Sequence, residues 1–235
     1  MLQTLPRPAS TLVIAAHHGG RHEGLRAGQL LLAAGVLLAL AAAALAIDMP
    51  LARAVTALDI PYDFRHFVRL GEAFGWGGTV GLIILAAAIL DPRGWRIVPR
   101  LAVLSFGSGL LADGVKLIIA RRRPVMTDLD SSVWETFLGW RAAMSHTDLH
   151  DDAIQSFPSG HAATATGLAV ALAILYPRGR WLFAGLALLA VVQRIEVEAH
   201  YLSDVLAGAA VGCLVGALCQ LDFGLGRRFV QWERT

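Results

Sequence analysis

The chain of 235 residues carries few charges for its length, since charged side chains make up 16% of it and hydrophobic ones 56%. Soluble domains are about one quarter charged, so this composition argues against a soluble or disordered protein. The formal net charge of +2 and the lack of a long basic run argue against a nucleic-acid-binding protein. Cys213 and Cys219 lie in one apolar stretch, which excludes a disulfide scaffold. The composition, with a mean hydropathy of +0.58, predicts a polytopic membrane protein.

Six segments are apolar enough to cross a bilayer core, for which a helix needs about 20 residues. In chain order they cover residues 28–47, 74–90, 101–120, 159–176, 181–199 and 201–221. The stretch 48–71 carries Arg53, Arg65 and Arg69 among apolar residues, and we expect it to lie along the membrane interface. The predicted fold is therefore all-α, a bundle of six transmembrane helices.

Six crossings place both termini on the same side of the membrane. Once three cations of a predicted site are set aside, Lys and Arg are more numerous on that side, so the positive-inside rule favours cytoplasmic termini. The chain then divides into an N-terminal cytoplasmic segment 1–27, a membrane domain 28–222 and a C-terminal cytoplasmic tail 223–235. The domain includes a polar extracytoplasmic loop, 121–157, and its predicted location is the cell (inner) membrane.

Two cations stand at the end of the third predicted span. Lys116 and Arg123 are seven residues apart, close to two helical turns, so on a helix they share a face before Pro124 ends it. This spacing is compatible with a shared anion site. The alternative is that both cations extend to the lipid headgroups from the end of a helix.

The fourth predicted span opens with a second polar motif, Pro158-Ser159-Gly160-His161. Ser159 suits a helix N-cap, and Gly160 allows a ligand to approach the backbone closely. The free N–H groups of a helix N-terminus form a natural seat for phosphate. The alternative is an ordinary capped helix start followed by a surface histidine.

A third motif lies between the fifth and sixth spans, with Arg194, His200 and Asp204. His200 and Asp204 are four residues apart, so on a helix they stack within hydrogen-bonding reach. A carboxylate beside one imidazole nitrogen makes the other nitrogen a better nucleophile or base. The alternative is a structural His–Asp pair at a helix start.

The order of the spans brings these three motifs together. The ends of the third and fifth spans and the starts of the fourth and sixth lie on the same side of the membrane. Three cations, a helix N-terminus and two histidines therefore converge at one interface. This combination predicts an anion site with a nucleophile and a general acid, which is the equipment for phosphoryl transfer.

The three motifs, in this order and with these spacings, resemble the signature of the type 2 phosphatidic acid phosphatase family (PAP2). The resemblance extends over about residues 70–220 and includes the six-span plan. One position departs from the family pattern, because Gln193 stands where the family usually has serine before the arginine of the third motif. A Gln amide can still donate a hydrogen bond to a phosphate oxygen, so the departure concerns fine geometry and substrate preference.

The resemblance also implies roles for the residues. His200 would attack phosphorus and form a phosphohistidine, with Asp204 orienting the imidazole. His161 would protonate the leaving oxygen and later activate water. The phosphate would be held by three cations and the helix start, namely Lys116, Arg123, Arg194, Ser159 and Gly160. Family members work without a metal, so no cofactor is expected.

The expected substrate is a lipid phosphate or diphosphate whose tail remains in the bilayer, such as phosphatidic acid, phosphatidylglycerol phosphate or undecaprenyl diphosphate. The expected partners are this lipid and the bilayer, with no nucleic acid, and the oligomeric state stays open. One alternative is a phosphotransferase that passes the phosphoryl group to a lipid acceptor. Another is a protein that binds or transports lipid phosphates without catalysis.

Two further groups of polar residues lie in the loop 121–157. The side chains of His146, Asp148, His150, Asp151 and Asp152 fit no standard metal-ligand spacing, so we interpret them as part of a solvated loop with a lid role. Arg121 and Arg122 are either extra phosphate contacts or interface anchors, and we favour anchors.

Overall fold

The computed structural model describes residues 25–139, 152–221 and 224–234. In these ranges the chain forms ten α-helices, joined by short 3₁₀ turns and loops. They are α1 (Ala27–Ala44), α2 (Asp48–Ala57), α3 (Tyr62–Arg69), α4 (Glu72–Gly75), α5 (Gly77–Leu90), α6 (Val98–Lys116), α7 (Gly160–Leu175), α8 (Arg180–Glu196), α9 (Leu202–Leu218) and α10 (Gly224–Arg234).

The helices include clear candidates for membrane crossing. Within the described ranges, α1 and the helical stretch Gly94–Lys116, which contains α6, are each long and apolar enough to span a bilayer. The pair Tyr62–Gly75 and Gly77–Leu90 meets the same criterion as one span bent by 70°, and α7 and α9 are shorter apolar helices. The predicted all-helical membrane fold is therefore confirmed, whereas the count of six crossings stays a prediction.

Small residues allow α7 to pack closely against α6 and α9. A Cβ atom added to Gly212 of α9 would lie 2.7 Å from Cβ of Thr166 and 2.8 Å from the backbone nitrogen of Gly167 in α7. A Cβ atom on Gly167 itself would in turn overlap the backbone of Leu104 in α6. In a membrane the lipid tails are as apolar as the helices, so helices associate through close backbone packing of this kind. The packing fixes the start of α7 relative to the start of α9 and the end of α6.

The end of α6 differs from the sequence prediction. The helix stops at Lys116, a turn follows, and from Arg121 the chain pairs in an extended form with the loop. Arg121 and Arg123 donate their backbone N–H groups to the carbonyls of Ile154 (2.8 Å) and Ala153 (2.9 Å). The prediction that Lys116 and Arg123 share a helix face is wrong, because these loop hydrogen bonds replace the helical ones.

The opposite end of the bundle is closed by α10. Arg100 of α6 is 2% exposed, and its Nε and Nη2 atoms donate to the carboxylate of Glu233 at 2.6 and 3.0 Å. The guanidinium also lies 5.2 Å from the ring centre of Phe229. Because Arg100 is buried, its charge depends on this pairing with the C-terminal helix.

We expect Glu233→Ala to destabilise the protein, because it leaves the Arg100 guanidinium buried without its carboxylate. Removing one partner of a buried ion pair typically costs about 3–5 kcal/mol. Thermal unfolding in detergent should show a clearly lower midpoint for Glu233→Ala, while Gln231→Ala, an exposed position of the same helix, should melt as the wild type does. Equal midpoints for Glu233→Ala and wild type would contradict this role.

Candidate active site

A cavity of about 800 Å³ opens where the ends of α6 and α8 meet the start of α7 and His200, which lies two residues before α9. Its walls contain six of the eight residues that the sequence singled out: Lys116, Arg123, Gly160, His161, Arg194 and His200. Side chains from three distant motifs thus share one space. The predicted convergence of the motifs is observed.

Two of the cavity cations are paired with nearby carboxylates. Lys116 Nζ lies 2.9 Å from Oδ1 of Asp113, and Arg194 Nη2 lies 3.6 Å from Oε1 of Glu72. Both carboxylates also line the cavity and are largely exposed, while the two cations are about one tenth exposed. An anion that enters the cavity would therefore contact cations that are already in position, and their carboxylate partners are exposed to solvent.

Gln193, which stands where the family pattern has serine, contacts Arg194 and is not among the residues that line the cavity. The residue is buried, and its Oε1 accepts a hydrogen bond of 2.7 Å from Nε of Arg194. Gln193 thus orients the arginine through its carbonyl oxygen. The sequence shows that Gln193 departs from the family pattern, but it does not show the contact with Arg194. The direction of a side chain on α8 depends on the elements against which α8 packs.

The start of α7 is capped as predicted. The Ser159 hydroxyl accepts a hydrogen bond of 3.4 Å from the N–H of Ala162, and Ser159 itself is fully buried. A Cβ atom added to Gly160 would lie 3.1 Å from Oδ1 of Asp113 and 3.4 Å from Nζ of Lys116. Gly160 therefore brings the helix backbone against the Lys116 ammonium. Ser159 does not line the cavity, so a bond from its hydroxyl to phosphate stays a prediction.

His161, the first side chain of α7 after Gly160, faces the cavity. Its Nε2 is buried and has no hydrogen-bond partner among the described residues. Buried polar atoms are normally paired, and exceptions at a site mark positions for a ligand or water. The nitrogen is thus available to an oxygen atom of a molecule bound in the cavity.

His200 lies just before α9 and is held by a contact that the sequence did not reveal. Its Nδ1 lies 2.8 Å from the backbone oxygen of Ser156, whereas Oδ2 of Asp204 is 3.9 Å away. The predicted direct hydrogen bond between His200 and Asp204 is therefore wrong, because His200 precedes the helix and does not stack on it. A carbonyl only accepts, so Nδ1 carries the proton and Nε2 is the unprotonated nitrogen.

The electrostatic surroundings keep His200 neutral. Burial lowers the pKa of His200 below its usual value, Arg123 and Lys116 lower it further, and Asp204 opposes the shift. The lowered pKa favours the neutral imidazole, which has its one proton on Nδ1 and a free Nε2, the form that a nucleophile needs.

Asp204 is fully buried behind the cavity and binds three groups. Its Oδ2 accepts hydrogen bonds from the Ser156 hydroxyl at 2.6 Å and from the Tyr201 N–H at 2.9 Å, and its Oδ1 pairs with Arg121. Arg121 is itself fully buried. The interpretation of Arg121 as an interface anchor is wrong, because carboxylates inside the protein hold its charge. Arg122 is exposed, and its role as an anchor stays a prediction.

The polar cluster of the long loop, His146, Asp148, His150, Asp151 and Asp152, lies outside the residues whose side chains the structure describes. Its predicted role as a lid therefore stays a prediction.

The fold and the cavity together define a helical membrane protein with a cavity lined by three cations. Residues 98–225, more than half of the chain, match the sequence model of the PAP2 superfamily. The chain belongs to the PAP2 superfamily, and the resemblance seen in the sequence is confirmed.

Two individual proteins similar to this chain are named as phosphatases. A lipid A 1-phosphatase of Rhizobium johnstonii is 37% identical over 117 residues, which are 49% of this chain and 43% of the relative. The lipid A 1-phosphatase of Rhizobium etli is 37% identical over 126 residues, half of each protein. The chain thus covers about half the length of these curated relatives or less.

A crystal structure supports the fold independently of these sequence matches. The PAP2-type phosphatidylglycerolphosphate phosphatase of Bacillus subtilis superposes with a TM-score of 0.54, covering 82% of this chain and 93% of that chain at 18% identity. At this identity the likeness concerns the transmembrane fold.

Proposed function

We propose that this protein is a membrane-integral phosphatase that hydrolyses lipid phosphates or diphosphates through a phosphohistidine intermediate. The observation that carries the proposal is that two histidines, His161 and His200, line the same cavity as the three cations. The Nδ1 of His200 is held by a backbone oxygen, and the Nε2 of His161 is buried without a partner among the described residues. A site that only binds phosphate needs no such nucleophile.

In the first step, Nε2 of His200 attacks phosphorus, and the bond from phosphorus to the leaving oxygen breaks. His161 donates its proton to that oxygen, and the dephosphorylated lipid departs as an alcohol or, from a diphosphate, as a monophosphate. Lys116, Arg123 and Arg194 spread their charge over the equatorial oxygens, which is the main protein contribution to phosphoryl transfer.

In the second step, water attacks the phosphohistidine. His161, now neutral, removes a proton from this water as a general base. The bond between Nε2 of His200 and phosphorus breaks, and inorganic phosphate leaves. The cycle restores both histidines and consumes one water.

The cavity walls and the relatives support the proposed substrate class. Phe106, Leu110 and Trp76 line the cavity beside the charged groups, which suits a molecule with an apolar tail and an anionic head. The similar Rhizobium proteins are named for lipid A, so the 1-phosphate of lipid A belongs among the candidate substrates together with glycerophospholipid and polyprenyl phosphates.

The test is an assay of phosphate release by the purified protein against a panel of these lipids. We expect inorganic phosphate from at least one of them. Phosphate released without turnover of a lipid acceptor supports hydrolysis, and chromatography of the products separates it from transfer. Binding without any product would favour the non-catalytic alternative and overturn the proposal.

We expect activity to be independent of added metal and to be inhibited by vanadate, because the protein supplies three cations of its own. Vanadate resembles the five-coordinate transition state. Arg123→Ala should weaken vanadate inhibition about tenfold or more, since a charge-assisted hydrogen bond is worth about 1.5–3 kcal/mol. Arg122→Ala is the matched control and should leave inhibition unchanged. Loss of activity in EDTA and its recovery with magnesium would contradict this mechanism.

We propose cytoplasmic termini, with the membrane domain 28–222 between the segments 1–27 and 223–235, and an extracytoplasmic site. The bias of arginines in the sequence supports this orientation. In a variant with both native cysteines replaced by serine, Ser132→Cys should react with a membrane-impermeant thiol reagent on intact cells. Gln231→Cys in α10 should react only after lysis. The reverse pattern would invert the topology.

A further inference from the structure

A buried ion network lies directly behind His200, and its centre is Arg121. The guanidinium is fully buried and uses all three of its nitrogens. Nε donates to the Thr136 hydroxyl at 3.0 Å, Nη1 donates to Ser203 at 2.7 Å and to Asp204, and Nη2 donates to Asp48 at 2.8 Å. Arg121 is fully buried and is not among the residues that line the cavity, so it acts on the site through its neighbours.

Asp48, at the start of α2, supplies the second carboxylate of the network. It is 1% exposed, and it accepts hydrogen bonds from the backbone N–H of Ser203 at 3.0 Å and from the Ser203 hydroxyl. Asp48 lies outside residues 98–225, which match the PAP2 superfamily. The network thus ties an N-terminal helix to the start of α9.

Two routes connect Arg121 with the imidazole of His200. Its side chain binds Oδ1 of Asp204, whose Oδ2 takes the Ser156 hydroxyl at 2.6 Å. Its backbone oxygen accepts the Ser156 N–H at 3.0 Å. Ser156 in turn presents the carbonyl that holds Nδ1 of His200 at 2.8 Å. Both the side chain and the backbone oxygen of Arg121 therefore help to fix the position of that carbonyl.

We propose that Arg121 and Asp48 are positioning residues for phosphoryl transfer. Through Asp204 and Ser156 they hold His200 with its proton on Nδ1 and with Nε2 free to attack phosphorus. One guanidinium between two carboxylates also leaves the cluster with one net negative charge, which complements the positive charge that the imidazole gains when Nε2 bonds to phosphorus. The role in turnover rests on the proposed function.

The geometry explains why arginine is needed here. A guanidinium is a planar fork that binds several acceptors in fixed directions, whereas a lysine ammonium is a compact point charge. The rings of Tyr201 and Phe137 lie 4.1 and 4.5 Å from the guanidinium carbon and enclose the fork. Lysine keeps the charge but cannot reach both carboxylates, Ser203 and Thr136 together.

The test compares Arg121→Lys and Asp48→Asn with Arg122→Lys, an exposed neighbour, in the purified full-length protein. We expect Arg121→Lys to lower kcat about 100-fold, the effect of misplacing a reacting group by about 1 Å. The KM and the inhibition constant of inorganic phosphate should stay within about threefold, because the cavity cations are untouched. Asp48→Asn should lower kcat about tenfold, because Asn keeps the acceptor but removes the charge, and Arg122→Lys should match wild type.

A second readout does not depend on turnover. In ¹⁵N-histidine-labelled protein, the His200 signals, assigned by their loss in His200→Ala, should report a proton on Nδ1 in wild type. In Arg121→Lys this proton should exchange faster or move to Nε2. An unchanged His200 spectrum in folded Arg121→Lys, or a kcat equal to that of wild type, would overturn the proposal. If Arg121→Lys does not fold, the same two readouts on Asp48→Asn decide.

The two readouts separate this inference from the proposed function. Wild-type protein that turns over no lipid phosphate overturns the phosphatase proposal, while the histidine spectra still test the positioning of His200. A parallel loss of kcat and of phosphate affinity in Arg121→Lys would instead assign Arg121 to phosphate binding and would also overturn the inference.

Discussion

Replacing His200 by alanine is expected to reduce phosphate release by about four orders of magnitude or more, because it removes the atom that forms the covalent intermediate in the proposed mechanism. The proposed nucleophile is already oriented in the structure, since the Ser156 oxygen holds Nδ1 of His200 and burial lowers the pKa of this imidazole. The variant should fold normally, because the buried carboxylate of Asp204 keeps its bonds to Ser156, Tyr201 and Arg121.

The measurement is phosphate release by purified, monodisperse His200→Ala with the substrate identified for wild type. His66→Ala, which removes an exposed histidine of α3, serves as the control and should keep full activity. Wild type quenched during turnover of ³²P-labelled lipid should carry an acid-labile phosphoryl group that His200→Ala lacks. Near-normal activity in His200→Ala would show that another group attacks phosphorus.

Replacing His161 by alanine is expected to slow turnover of lipid phosphates by about 10²–10⁴-fold, the usual contribution of general acid–base catalysis. An alkoxide is a poor leaving group and needs the proton that we assign to Nε2 of His161. An aryl phosphate such as p-nitrophenyl phosphate leaves without a proton, so formation of the phosphohistidine should be much less affected with this substrate.

Hydrolysis of the intermediate should still be slow in His161→Ala, because no base remains to activate water. Rapid mixing with p-nitrophenyl phosphate should therefore give a burst of nitrophenolate, about one per enzyme, followed by slow turnover with phosphate bound to His200. Equal losses with lipid and aryl phosphates, and no burst, would remove His161 from the acid–base role.

Helix positions could be predicted from the sequence because their signals are local. A run of apolar residues between charged or Pro–Gly breakers predicts a membrane helix. The predicted spans at 28–47, 159–176 and 201–221 correspond to α1, α7 and α9, with ends shifted by at most three residues. The capping role of Ser159 was predictable for the same reason, because its hydroxyl accepts a hydrogen bond from an N–H group in the first turn of the helix that it caps.

The convergence of the three motifs was also predictable, because the order of helices alone decides which ends share a side of the membrane. Lys116, His161, Arg194 and His200 do line one cavity. The backbone conformation that brings Arg123 to the cavity was not predictable from the spacing of Lys116 and Arg123. A spacing of seven residues suits a helix equally well, and only the pairing with residues 153–155 makes the chain extended from Arg121 onward.

By itself, the sequence predicted the membrane class, the positions of α1, α7 and α9, and six residues that line the cavity, because these depend on local hydrophobicity and on the order of the helices. Only the tertiary structure decided how those side chains are held. Arg121 looked like one cation in a basic run, yet its partners Asp48 and Asp204 lie 73 and 83 residues away. His200 is oriented by a carbonyl 44 residues before it. Burial and long-range partners set the charge and direction of a polar group, and neither is encoded in local spacing.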